Sequence, residues 1–232
     1  MPFKRLKVRV WNSAARLAAL AALTFPAMTS AQTVSGRVVL KEKPGETPSD
    51  LANAVVYLVP RNGVARIAEK KTEMAMDGRQ FSPRVIVVTP GSTVQYPNKD
   101  PFSHNIFSTA TGAAFDLGVY GSGPGKATQF KKAGAFPVYC NIHAKMTAYV
   151  VVVNTPWHTQ PTADGRWSLL GVPAGKYELH VWHERGGELV KDIDVAASGL
   201  TAADGTLDAS GYKLADHKDK NGKDYTAVGV RY

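Results

Sequence analysis

Only one cysteine, Cys140, occurs among the 232 residues, so no internal disulfide can form. A lone thiol pairs with another chain, reacts, or is capped by a metal. In an oxidising compartment an exposed free thiol is a liability, and ligation removes it. Sustained helical periodicity is missing, which argues against a helical bundle. No His-x-His pair occurs among the six histidines. No apolar run reaches the roughly 18 residues that a membrane-spanning helix needs. The longest, Leu17 to Met28, follows a start that holds Lys4, Arg5, Lys7, Arg9 and Arg16 and no acid. That pattern, ending in Thr29-Ser30-Ala31, reads residues 1–31 as a signal peptide cut before Gln32. Export to the periplasm or the exterior follows, with no stable membrane insertion after cleavage.

The formal charge of +9 is concentrated in this leader. Setting its five bases aside leaves 23 bases against 19 acids, a net +4. So mild a balance, with no clustered basic stripe, gives no reason to expect nucleic-acid binding.

What remains is rich in short Val, Ile, Tyr and Phe runs punctuated by Gly, Pro, Asn and Asp, which predicts an all-β sandwich architecture. The runs predict strands at 34–40, 54–59, 71–76, 84–88, 93–96, 104–107, 127–130, 135–139, 148–153, 165–170, 177–183 and 189–195. Asp77-Gly78 and Pro90-Gly91 read as turns, and Gly121-Ser122-Gly123-Pro124-Gly125 as a mobile loop. The tail from Ser198 onward is polar and weakly patterned, and reads as loop.

Chemistry concentrates in Cys140-Asn141-Ile142-His143-Ala144-Lys145-Met146, a Cys-x2-His-x2-Met stretch between two predicted strands. Thiolate, imidazole and thioether are the soft-to-borderline donors that copper prefers, copper(I) above all. A fourth donor should come from elsewhere in the sheet, and His104, 36 residues before Cys140, fits. Two imidazoles and a thiolate in a plane, with a weaker axial thioether, describe an electron-transfer copper site. A dinuclear copper centre would need a second cysteine, and a multicopper oxidase would need His-x-His pairs. Neither is present.

This stretch resembles the cupredoxin family of blue-copper proteins, amicyanin especially. Val88-Thr89-Pro90-Gly91-Ser92-Thr93-Val94, Asn98-Lys99-Asp100 and Ser103-His104-Asn105-Ile106 carry the resemblance further. It implies a Greek-key β-sandwich over residues 70–153 and one mononuclear copper ion. His104, Cys140 and His143 would be equatorial ligands and Met146 the axial one. Asn105 would tie the two ligand-bearing loops together by hydrogen bonding. His143 would lie near the surface as an electron exit, and redox proteins would dock transiently around it.

The flanks carry a second resemblance. Val34-Ser35-Gly36-Arg37-Val38-Val39, Asn53-Ala54-Val55-Val56-Tyr57-Leu58 and Ala163 to Tyr177 look like the carboxypeptidase regulatory-like β-sandwich. That implies a second, smaller transthyretin-like sandwich made of residues 33–65 and 155–200, with the copper segment inserted and 201–232 left as a polar tail. Insertion is tolerated where the two ends of the host loop lie close.

Of the remaining histidines, His180 and His183 fall on opposite faces of a strand and should not share a metal. A second site joining His183 to His158 is the lesser possibility. His217 to Gly222 lacks carboxylates at the first and last positions of a calcium loop. The function expected is single-electron transfer between periplasmic redox partners, the alternative being copper binding for delivery. An enzyme is not expected, because four protein donors leave no position open for a substrate.

Overall fold

Where the chain alternates apolar and polar residues, the computed structural model places strands, and it describes residues 32–63 and 66–225. The leader read over residues 1–31 lies outside the described residues. Seventeen strands are present among those described: β1 (Gln32–Lys41), β2 (Val55–Pro60), β3 (Lys71–Glu73), β4 (Ala75–Asp77), β5 (Gln80–Ser82), β6 (Val85–Val88), β7 (Ser92–Asn98), β8 (His104–Ser108) and β9 (Phe115–Tyr120). After these come β10 (Gly123–Phe130), β11 (Gly134–Cys140), β12 (Thr147–Val152), β13 (His158–Thr159), β14 (Arg166–Val172), β15 (Gly175–His183), β16 (Gly187–Val195) and β17 (Gly205–Asp208). The only other regular element described is a 3-10 turn at Leu51–Asn53. The fold is all-β, as the patterning predicts.

Strands β3 to β12 form two five-stranded sheets. One runs β10-β7-β4-β5 with β3 also paired to β7, and the other runs β6-β12-β11-β8-β9. Both contribute to a single buried cluster that includes Met76, Tyr96 and Phe130 from the first and Ile106, Val138 and Val150 from the second. Two sheets sharing one apolar interior make a sandwich. β7 shows how the sequence sets this up: Ser92, Val94, Tyr96 and Asn98 are buried and the residues between them are not, the period of two that a half-buried strand requires.

The remaining strands pair among themselves, in a sheet β14-β1-β17 and a sheet β13-β2-β15-β16. They enclose a second cluster, with Val38, Trp167 and Leu207 facing Val56, Leu58 and Leu179. β1 pairs with no strand of the segment 71–152. The chain leaves by β2 and returns by β13, and these two strands are hydrogen-bonded neighbours. The segment carrying the two five-stranded sheets therefore starts and ends at adjacent points. Val55, Val85, Val151, Val153 and Trp182 form a small apolar joint between the two bodies. Beside it, Arg84 grips Glu184 through two bonds of 2.8 and 2.9 Å and donates to the Thr147 carbonyl at 3.1 Å. This fastens the start of β12 to the end of β15.

Three local expectations change. The run 71–76 is two short strands broken at the buried Met74, whose N–H turns to the Gln95 carbonyl. The glycine-rich loop at 121–125 is ordered from Gly123 onward as the start of β10, which pairs with β7 through an irregular register between Gly123 and Lys126. The tail is not all loop, because β17 adds to β1 in parallel and buries Ala203, Leu207 and Ala209.

Candidate metal centre

β11 aims the thiol inward. Phe136, Val138 and Cys140 are its buried residues, so the alternation that packs the first two also turns the sulfur into the core. Cys140 pairs with Ile106 across the ladder. His104, two residues before Ile106, shares its face and is the diagonal neighbour of Cys140, within reach of a long side chain. Cys140 Sγ lies 3.5 Å from His104 Nδ1. The connection to β12 then folds tightly: Met146 N–H donates to the His143 carbonyl at 3.0 Å, and Cys140 N–H to the Met146 carbonyl at 3.2 Å. This turn brings His143 Nδ1 to 3.5 Å from the same sulfur.

The three donor atoms lie within 4.8 Å of one another. No other such trio of His, Cys, Asp or Glu gathers among the described residues. Met146, the fourth residue named from the sequence, is 2% exposed and belongs to the same core cluster as Cys140.

The donor set fits a soft metal ion. A thiol has one proton and can donate to one ring nitrogen, yet two face this sulfur at equal distance. An ion satisfies all three donors at once. The two 3.5 Å spacings, with all three donor atoms within 4.8 Å of one another, are close enough for one ion to be shared. His104, Cys140, His143 and Met146 are the residues that would hold copper.

Outer contacts prepare the ligands. His104 Nε2 lies 2.8 Å from Asp100 Oδ2, with both side chains buried. A carboxylate only accepts, so Nε2 carries the proton and Nδ1 keeps its lone pair toward the sulfur. Asp100 also accepts the N–H groups of Gly78 and Arg79 at 2.7 and 3.0 Å. These two residues form a two-residue hairpin turn with φ of 62° and 60°, the left-handed pair of a type I′ turn. Burial works to raise the Asp100 pKa, but these donors and His104 outweigh it and leave the carboxyl below its ordinary value. Burial pushes the Cys140 thiol up, against the opposing pull of the Asn105, Ile142 and His143 N–H groups. Burial, followed by the nearby His104 and Arg79, pushes His143 down, toward the neutral form a ligand needs. Phe102 stands 5.3 Å from the His104 ring and 5.9 Å from that of His143, with the Arg79 guanidinium 5.1 Å from its centroid.

Asp100→Asn should therefore weaken copper retention by roughly 10- to 100-fold, the usual cost of losing an outer partner of a metal-bound histidine. An asparagine oxygen can still accept from Nε2 and from Arg79 N–H, but its NH2 group then meets Gly78 N–H, donor against donor, and the negative charge behind the imidazole is lost. Competition against a copper chelator measures the effect, and unchanged affinity would remove Asp100 from the site.

The resemblance placed Asn105 as the tie between the ligand loops through hydrogen bonding. The tie runs through its main chain: the Asn105 carbonyl accepts from Asn141 N–H at 2.9 Å. Its side chain turns instead to Asp116, 2.7 Å away. Three of the other histidines have partners away from this site. His180 stacks on Tyr57 and bonds Glu188, His183 faces the Asp50 carbonyl, and His158 lies beside Lys70. Asp100 enters the sequence reading only as part of a resembling segment, and neither it nor Phe102 is given a role there, although an acid four residues before a candidate ligand is visible.

No protein-family model matches the chain, and no curated protein matches it. Among solved structures, a purple cupredoxin from Nitrosopumilus maritimus is 23% identical, covering 35% of this chain and 99% of its own, with a TM-score of 0.33. A pseudoazurin from Sinorhizobium meliltoi is 25% identical over 38% of this chain and 76% of its own, with a TM-score of 0.31. Amicyanin from Paracoccus versutus is 18% identical over 42% of this chain and 97% of its own, with a TM-score of 0.34. These solved structures, each similar to part of this chain, are cupredoxins.

Proposed function

We propose that this chain is an exported carrier of single electrons that holds one copper ion between His104, Cys140, His143 and Met146. One observation supports this above the others: a buried thiol and two imidazole nitrogens converge, each nitrogen 3.5 Å from the sulfur. Bound there, copper would supply a one-electron couple between its cuprous and cupric states. The residues themselves supply rigidity and dryness. Cys140 is fixed at the end of a paired strand, His104 is held by Asp100, and Phe102 packs beside both imidazoles. A site that does not rearrange suits electron transfer, because little nuclear motion accompanies the change of charge.

His143 is the half-buried donor of the three, and redox proteins of the periplasm or exterior would dock transiently around it through a small interface. No helix among the described residues is long and apolar enough to cross a membrane. Strands β1, β2 and β13 to β17 we read as one transthyretin-like module, interrupted by the copper-bearing segment. With every donor supplied by the chain, no position is kept for a substrate, and an enzyme is not proposed.

The test is addition of Cu(II) to the mature protein. An intense thiolate-to-copper absorption, narrow hyperfine splitting in spin resonance and a reversible one-electron wave are expected. Tightly bound copper with no absorption of that kind would overturn the reading. Readily exchanged copper(I) without a reversible wave would favour delivery in place of electron transfer.

A further inference from the structure

After Gly211 the described chain holds no strand, and its residues are exposed except Tyr212, His217, Asp219 and Tyr225. The segment 217–225 is nevertheless folded. Asp219 Oδ1 accepts the N–H groups of Asn221 and Lys223, both at 2.8 Å, and Gly222 N–H closes onto the Asp219 carbonyl at 2.9 Å. This is the stretch whose charges did not suit calcium, and it is a compact turn.

The turn sits on the ligand loop. Tyr225 Oη donates to the Cys140 carbonyl at 3.1 Å. Lys220 N–H donates to Asn141 Oδ1 at 2.8 Å. His217 Nε2 lies 3.2 Å from the His143 carbonyl, and His217 N–H donates to the Ala144 carbonyl at 3.2 Å. Four of the five residues from Cys140 to Ala144 are thus held by one segment about 75 to 85 residues further along. The His217 ring stacks on Tyr139 at 4.5 Å and meets Tyr225 edge-on at 5.4 Å. Lys220 Nζ pairs with Asp116 at 2.6 Å, anchoring the turn to β9.

We propose that His217 and Tyr225 are positioning residues of the metal centre, and that the turn carrying them clamps the outward side of the ligand loop. The inward side of that loop is fixed by the sheet, through Asn141 N–H to Asn105 and Cys140 N–H to Met146. The outward carbonyls would otherwise face water and leave the loop free to breathe. Hydrogen bonds to the peptide groups of Cys140 and His143 set where sulfur and imidazole stand relative to each other, as outer contacts do at other metal sites. The clamp as such is independent of the metal, while its effect on copper rests on the function proposed above.

The experiment compares the full chain with Tyr225→Phe, which removes one hydroxyl and keeps the ring, and with a double variant that adds His217→Ala. In the metal-free proteins, amide exchange at Asn141 and Met146 should speed up about tenfold in the double variant, the scale of one or two net hydrogen bonds. Amides of β14 and β15 should keep their protection. In the copper-loaded proteins, release of copper(I) to a chelator should be about tenfold faster and the thiolate-to-copper band should shift, with Tyr225→Phe showing a smaller change of the same sign. Exchange at Asn141 and Met146 within twofold of the parent in the double variant overturns the clamp. So does loss of protection that spreads equally into β14 and β15, since that marks general stability. If the parent protein gives no copper band, the proposed function fails while the exchange data still decide the clamp.

Discussion

Cys140→Ser is expected to abolish the thiolate-to-copper absorption and weaken copper binding by more than the roughly 100-fold that a lost outer partner costs. A hydroxyl is a hard, weakly ionised donor, and two imidazoles with a thioether hold cupric copper without the charge-transfer partner that gives the colour. The metal-free fold should barely notice. Cys140 is fully buried, and the N–H groups of Asn105, Ile142 and His143 act on its sulfur, so a serine oxygen inherits acceptable partners. Spectroscopy of the copper-loaded variant and thermal unfolding of the metal-free one separate the two effects. A variant that stays intensely coloured would show that the sulfur is not a ligand. A metal-free variant that unfolds would show that the residue is needed for packing.

Gly125→Ala should be the costliest single methyl group in the metal-bearing body. Gly125 has φ of +68°, and a Cβ there would stand 1.8 Å from the Tyr96 carbonyl oxygen. That neighbour is backbone of β7, the partner strand, so it cannot rotate away. The left-handed conformation and the clash together should cost about 3 kcal/mol or more, lowering the midpoint of thermal unfolding by roughly 6–12 °C for a chain of this size. Gly211 supplies the control, since it meets nothing within 4 Å and does not occupy that region of φ. Gly211→Ala should stay within about 0.5 kcal/mol of the parent. Equal midpoints for the two variants would mean that β10 does not press on β7 as described.

The candidate ligands were legible because three of them sit on one short stretch. Donor softness at Cys140, His143 and Met146 needs no long-range information, and His104 follows from asking which residue type must complete the set. Strands such as β7 and β11 were legible from their alternation. β17 was not, although the pattern is present: Ala203, Gly205, Leu207 and Ala209 point inward and their neighbours outward. Three of those four are small, so they carry little hydrophobic signal, and only the close approach of β17 to its neighbours requires them to be small. A Cβ on Gly205 would meet Val181 at 2.7 Å. The glycines at 123 and 125 read as loop because glycine punctuates loops, whereas here they admit an irregular strand against β7. The contacts of His217 and Tyr225 were hidden for a different reason. They are bonds from a polar tail to loop carbonyls, and no local pattern of residue types announces which distant peptide a ring will meet.

The pairing of β1 has a consequence for the order in which the molecule can assemble. Arg37 N–H is bonded to Asp204, 167 positions later in the chain, and the first strand to pair with β1 is β14, where Arg37 faces Arg166. During synthesis this strand must wait, unpaired, until β14 has been made. Residues 71–152 need nothing from either end to close their own sheets. Maturation should thus run from the middle outward, with the copper-bearing segment finished first and the frame closing last and slowly, because joining such distant ends is entropically expensive.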